Sequence, residues 1–316
     1  MPRLHVVTGK GGTGKTTIAG ALALALAAGG HRVLLVEVEG RQGLAQLFDS
    51  PPLPYAETRL AATRGGEVIG LAVDPEDAML EYLDMFYSMK RAGSALRKMG
   101  AIDFVTTIAP GLRDVLLTGK VKEAVIRTVD HRPAFDFVVL DAPPTGRITP
   151  FLEATNEVAS LTKLGPIHKQ SVGVSSLLHS RQTHVHVVTL LEEMPVQETL
   201  DATAELRRAG YQLGRIVVNR ARPELVAANL LGPGGSPDDA VLADGLTQAG
   251  LDPGLAPALA QQVGEYAQRQ NVQAEAGRDL ESTKLPIVRL PELRPPMDLG
   301  ALFELGDALD IEEWTA

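Results

Sequence analysis

No cysteine occurs in the 316 residues of this chain. That absence excludes disulfides, thiolate zinc sites, iron–sulfur clusters, cysteine nucleophiles and capture of a metalloid by thiolates. A basic excess is also lacking. The 30 lysines and arginines are outnumbered by 39 aspartates and glutamates, for a net charge of −9. That balance argues against general nucleic-acid or lipid binding. Long apolar runs are missing too. The run at residues 18–28 is only about half a membrane span. It follows Lys15, lacks the flanks of a signal peptide and predicts a buried helix. With no targeting segment, the expected location is cytoplasmic, and no integral membrane protein is expected. There is no internal repeat and no low-complexity tract.

What is present is ordinary globular composition, 45% hydrophobic and 22% charged. Short β-rich runs recur at residues 4–8, 33–38, 68–73, 137–140, 185–190, 216–219 and 287–290. Most are continuously apolar, as strands covered on both faces are. Helical patterns lie between them. The alternation predicts an α/β fold with a doubly wound, mostly parallel sheet of about seven to eight strands. Residues 75–130 and 151–182 read as consecutive helices, the second stretch broken at Gly165-Pro166. They predict a helical subdomain inserted into a single domain spanning 1–316. Residues 223–284 read as helical and polar, broken around 232–237.

The chemistry begins after the first strand. Gly9-Lys10-Gly11-Gly12-Thr13-Gly14-Lys15-Thr16, followed by Thr17, fits G-x-x-x-x-G-K-[ST]. Glycines let the backbone fold around phosphate with its N–H groups turned inward. Lys15 adds a point charge near the β- and γ-phosphates, and the Thr16 hydroxyl suits magnesium. The helix that follows turns its positive end toward the same phosphates. The expected ligands are ATP or ADP with Mg2+.

A second carboxylate motif ends a later strand, in Phe135-Asp136-Phe137-Val138-Val139-Leu140-Asp141-Ala142-Pro143-Pro144-Thr145-Gly146. An aspartate at such a strand end holds magnesium through water. The turn after it is placed to sense the γ-phosphate and to move when that group leaves.

Lys10, directly after the first glycine, gives the loop a narrower character. Gly-Lys-Gly-Gly-Thr-Gly-Lys-Thr-Thr resembles the deviant Walker A loop of dimeric ATPases, among them the nitrogenase iron protein, the septum-positioning and partition ATPases and the arsenite-pump ATPases. In these the early lysine crosses a subunit interface to the partner's phosphates and stabilises charge there. The resemblance therefore implies a face-to-face dimer, either a homodimer or a heterodimer with a paralogous subunit. Asp141-x-x-Pro144-Thr145-Gly146 looks like the switch II motif of the arsenite-pump and tail-anchored-protein-targeting ATPases. Ala109-Pro110-Gly111-Leu112 resembles part of their helical subdomain. Val217-Val218-Asn219-Arg220 resembles their adenine-contacting strand end, and Leu290-Pro291-Glu292-Leu293-Arg294 their late adenine loop. Taken singly, Asn219 also reads as a cap or turn residue, and Pro291 and Arg294 as a surface turn. The resemblance runs along nearly the whole chain. It is closest to actinobacterial members that occur as paired paralogues and are described only as anion-transporting-ATPase-like.

Two departures qualify the resemblance. Where that family has Asp-Pro after the second strand, this chain has Glu39-Gly40. Glu39 then stands in the place of the residue that polarises the attacking water, or it is a plain loop carboxylate. A shift of about 1 Å in a reacting group costs about a hundredfold in rate, so either slow hydrolysis or a place as the weaker half of a mixed dimer is expected. The missing cysteines exclude both the zinc clamp of the eukaryotic targeting ATPases and metalloid sensing.

Four of the seven methionines, Met79, Met85, Met89 and Met99, lie between 79 and 99. Methionine-rich helices make adaptable apolar surfaces. They fit either a nucleotide-gated groove for an apolar protein client or packing within the helical subdomain or at the dimer interface. His168, His179, His184 and His186 lack metal-ligand spacing and read as structural. The leading expectation is an ATP hydrolase whose Lys10 and Lys15 stabilise phosphate charge, with magnesium on Thr16 and Asp141 and water oriented by Glu39. The alternatives are a nucleotide-bound scaffold or low-activity subunit, and a metabolic phosphotransferase on the same loop.

Overall fold

A computed structural model describes residues 3–87, 110–161, 166–227, 231, 236–294, 296–311 and 314. Eight strands form one sheet in the order β10-β9-β8-β1-β7-β2-β4-β3. They are β1 (Leu4–Gly9), β2 (Arg32–Glu37), β3 (Thr58–Ala62), β4 (Glu67–Ala72), β7 (Phe137–Asp141), β8 (Thr183–Thr189), β9 (Leu213–Ala221) and β10 (Ile287–Pro291). Every pairing is parallel except β3 on β4. The seven apolar runs each became a strand. The eighth, β3, is an antiparallel edge with an irregular register beside Arg59, so it carries no continuous apolar run. A two-stranded ribbon, β5 (Thr128–Val129) with β6 (Arg132–Pro133), lies apart from the sheet.

The pleat divides the strand residues between two cores. Leu4, Val6, Leu34, Val36, Val138 and Leu140 point to one face. Val7, Val33, Leu35, Phe137 and Val139 point to the other. This is why the central strands are apolar without alternation: each side chain is buried whichever way it faces. Burying one such side chain contributes roughly 1.5–3 kcal/mol.

On the second face lies α1 (Lys15–Ala28), the helix of the apolar run. It is sandwiched between the sheet and α10 (Leu299–Asp307), whose Leu302 and Leu305 join the same core. A helix covered on all sides has no need of a polar face. Asp298 caps α10 by accepting from the Ala301 N–H at 2.9 Å.

The first face carries the helices expected from residues 75–130 and 151–182. The described helices are α3 (Pro75–Tyr87), α4 (Pro110–Ile126), α5 (Thr145–Leu161) and α6 (Pro166–Leu178), while α2 (Gly43–Leu47) is a short turn near α1. Leu117, Val121, Phe151, Leu152 and Val174 share one core with the side chains of the strands. The helical stretch thus reaches the sheet itself, and α5 begins at Thr145, earlier than the sequence pattern implied. Met79 packs against this core. The side chains of Met85, Met89 and Met99 lie outside the described residues, as does Ala109. Beyond β8 come α7 (Glu193–Arg208), α8 (Asp239–Gln248) and α9 (Ala256–Glu281), the last two from the polar stretch at 223–284. Among the described residues no helix is long and apolar enough to cross a membrane.

On the adjacent strands β1 and β8 two histidines, His5 and His186, are buried together. The Arg215 N–H donates to His186 Nδ1 at 3.0 Å. The His186 proton therefore sits on Nε2, which faces His5 Nδ1 at 3.1 Å. Trp314 packs tilted against His186, with ring centres 4.4 Å apart. Burial, with the neighbouring His184, pushes His5 down to about 3. Burial holds His186 well below the usual histidine range, helped by His5, His184 and Arg215. Both rings are neutral in the fold and take up protons on unfolding below about pH 6.5. Their contribution is complete above that pH. It is lost on acidification at up to about 1.4 kcal/mol per pH unit per ring. Urea unfolding at pH 7.5 and 5.5 should show this loss, and His5→Leu, though less stable at pH 7.5, should show a shallower pH slope. Equal slopes in the two chains would refute the assignment.

Candidate functional site

The order of strands reverses at β1, with β8, β9 and β10 to one side and β7, β2, β4 and β3 to the other. Ligands of open parallel sheets bind at such a switch point, beyond the carboxyl ends of the strands. Here that edge gathers the residues singled out from the sequence. The loop at Gly9–Thr17 follows β1. Glu39 follows β2, Asp141 ends β7, Asn219 and Arg220 lie near the end of β9, and Pro291 ends β10.

The loop is held from within and from outside. The Thr13 hydroxyl donates to the Lys10 carbonyl at 2.8 Å, and the Thr13 N–H approaches the same oxygen at 3.3 Å. Gly11 and Gly12 lie at the exposed crest between them. Gly14, at φ 92°, stands where any Cβ would overlap the Asn219 amide. That amide donates from Nδ2 to the Thr13 carbonyl at 2.9 Å. At Gly9, too, a Cβ would run into the Val188 carbonyl of β8. Two of the glycines are therefore fixed by close approach of neighbouring strands as well as by the phosphate expected between them. Lys15 is the first residue of α1, with Thr16 and Thr17 in its first turn.

Thr16 meets the second motif directly. Its hydroxyl donates to Asp141 Oδ2 at 2.6 Å. Asp141 is nearly buried, and its other oxygen, Oδ1, has no hydrogen-bond partner. Burial pushes the Asp141 carboxyl up to about 6, Thr16 and Lys15 pull it down, and Glu37 and Glu39 raise it further. A hydroxyl and a partnerless, half-compensated carboxylate form a hard oxygen donor set that fits a magnesium ion.

Two participants were not legible as site residues. Glu37 pairs in register with Asp141 and is 3% exposed. Its carboxylate accepts from the Gly43 N–H at 3.2 Å and the Leu44 N–H at 3.1 Å. It thus closes the loop that carries Glu39. Glu39 lies 3.9 Å from Arg41. In sequence Glu37 and Glu39 look alike. Only the end of β2 at Glu37 keeps one in the sheet and leaves the other in the loop. The second is Glu198 on α7, whose carboxylate forms an ion pair with Lys10 Nζ at 2.7 Å. Nothing near Glu198 in the sequence marks it.

The residues matched to an adenine site come together at the same edge. Asn219 braces the phosphate loop and accepts the Arg220 N–H on Oδ1 at 2.9 Å. Arg220 has a φ of 52°. Pro291 lies beside Ala221 in register, the Glu292 N–H donates to the Ala221 carbonyl at 3.2 Å, and Leu293 packs against the core around α1. A cavity of about 570 Å³ opens next to them, lined among others by Leu190, Glu192, Arg220, Arg222, Arg269 and Glu292.

Two substitutions test the brace. Gly14→Ala should leave the far-ultraviolet dichroism unchanged and weaken ATP-analogue binding roughly thirtyfold, from about 2 kcal/mol of strain and lost bonding. Asn219→Ala, which strips the Thr13 carbonyl of its donor, should weaken it in the same direction. Unaltered affinity in both, by titration with a fluorescent analogue, would remove the brace from the site.

Known proteins resemble this chain in sequence. The family described as Anion-transporting ATPase matches residues 2–180. ATPase BagA of Mycobacterium tuberculosis is 53% identical over 314 residues, covering 97% of this chain and 92% of that one. The arsenical pump-driving ATPase of Acidiphilium multivorum is 28% identical over 253 residues, covering 72% of this chain but 41% of that one. An arsenical pump-driving ATPase of Escherichia coli is 28% identical over 255 residues, with the same coverage of both chains. With its phosphate loop, its buried strand-end aspartate and this likeness along nearly its whole length, the chain belongs to the anion-transporting ATPase family and is an ATP hydrolase.

Proposed function

We propose that this ATPase works as a nucleotide-gated dimer. ATP brings two phosphate loops face to face, hydrolysis parts them, and the helices on the first face of the sheet pass the change to a partner. The observation that carries the reading is the contact of Thr16 with Asp141, whose second oxygen is buried without a partner. Such a pair supports a magnesium site between loop and switch turn. Bound magnesium would neutralise charge developing on the β- and γ-phosphates. Lys15 stabilises the same phosphates from its own chain, and Lys10 those of the partner. Glu39 orients the attacking water from a loop fixed by Glu37. Asn219, Arg220, Pro291 and Leu293 flank the adenine.

The partner chain is a second copy or a paralogous subunit. The helical layer offers a place for an apolar client, although Met79 serves the core. The metalloid role in the names of two relatives does not transfer, since the chain has no cysteine. A slow, scaffold-like cycle also suits the longer arm of Glu39.

Phosphate release measured against protein concentration tests the proposal. Specific activity should rise with concentration and require magnesium. Lys10→Ala should stay low throughout. Glu39→Gln should abolish turnover while ATP binding persists. Label from γ-phosphate-labelled ATP should appear only as free phosphate. A concentration-independent rate that Lys10→Ala leaves intact would sink the dimer reading.

A further inference from the structure

Lys10 is spoken for within its own chain. Its main-chain carbonyl is held by Thr13, so only its side chain is free to swing. That side chain ends 2.7 Å from Glu198 Oε1 on α7. The other oxygen of the same carboxylate accepts from the Thr145 hydroxyl at 3.2 Å. Thr145 is buried and is the first residue of α5, at the end of the turn that follows Asp141. The turn is tied at its other side by Thr8, whose hydroxyl donates to the Pro143 carbonyl at 2.7 Å. One carboxylate therefore joins the early lysine of the phosphate loop to the turn expected to sense the γ-phosphate.

We propose that Glu198 is a positioning residue that keeps Lys10 in its own chain at rest and yields it when the turn at 142–146 moves. The inference rests on the reading of Lys10 as acting across the dimer. The ion pair is partly open to water, with the Lys10 and Glu198 side chains 29% and 37% exposed. A pair so exposed shifts an equilibrium by only about twofold to fivefold. That is enough to favour the resting arrangement of a free chain. It is too little to withstand the charge of a partner's phosphates. Thr145 makes the hold conditional. While its hydroxyl donates to Glu198, the carboxylate is fixed where Lys10 finds it. When the turn shifts, one of the two anchors of that carboxylate is lost.

The test uses the whole chain with Glu198→Gln, Lys10→Ala and both together. Glutamine keeps an acceptor for Thr145 and removes the charge that holds Lys10. In the nucleotide-free protein, reductive methylation read by mass spectrometry should label Lys10 about twofold to fivefold faster in Glu198→Gln, with Lys15 unchanged as internal standard. The protein concentration giving half-maximal phosphate release should fall by a similar factor. Glu198→Gln should have no such effect when added to Lys10→Ala, because the pair acts through one contact. Unchanged labelling of Lys10, or an equal shift in both backgrounds, overturns the proposal. Faster labelling with an unmoved concentration midpoint also overturns it, by reducing the pair to a surface contact. Wild-type turnover by Lys10→Ala would instead overturn the trans-acting reading itself. An inactive Lys10→Ala beside a Glu198→Gln that matches wild type in every readout would leave that reading standing and remove only the role of Glu198.

Discussion

Asp141 sits almost out of water at the end of β7, with Glu37 opposite it in register and Glu39 just beyond. Burial lifts its carboxyl to about 6, and the two glutamates add to the effect. Against this stand a 2.6 Å hydrogen bond from Thr16 and the charge of Lys15. A buried carboxylate with one oxygen unmatched is unfavourable by itself. The fold holds it there because β7 is clamped between β1 and β2 in the middle of the sheet. Positive charge brought by a cation with a nucleotide would offset that cost.

The parallel sheet explains why so much converges there. Covered on both faces by helices, it leaves only its edges and strand ends for polar work. Parallel strands put every carboxyl end on one side. The phosphate loop, the loop closed by Glu37, the switch turn and the end of β9 are therefore neighbours with no insertion to bring them together. Their couplings are short and specific. Asn219 reaches the loop from β9, Thr8 reaches the turn from β1, and Glu198 touches both loop and turn from α7. One carboxylate, that of Glu198, thus joins Lys10 to the turn.

Much of this was legible beforehand. The apolar runs located seven of the sheet's eight strands because strands buried on both faces must be apolar throughout. The glycine-lysine loop and Asp141 stood out because phosphate and magnesium demand particular residues at fixed spacing. The edge strand β3 did not stand out, for an edge needs no continuous apolar run. Nor did α10, whose apolar residues matter only because α1 needs covering on its outer side. The paired burial of His5 and His186 was invisible as well. A histidine on a strand looks the same whether it faces water or another ring.

By itself the sequence determined the class of fold and picked out the phosphate loop and the strand-end aspartate, because each of these depends on local pattern or on a motif of fixed spacing. The tertiary structure decided which residues support them. Thr13 and Asn219 are 206 positions apart, and Thr16 and Asp141 are 125 apart. Glu198 carries no local signature at all. Contacts of that kind are set by the order in which strands lie side by side, and no local run of residues encodes that order.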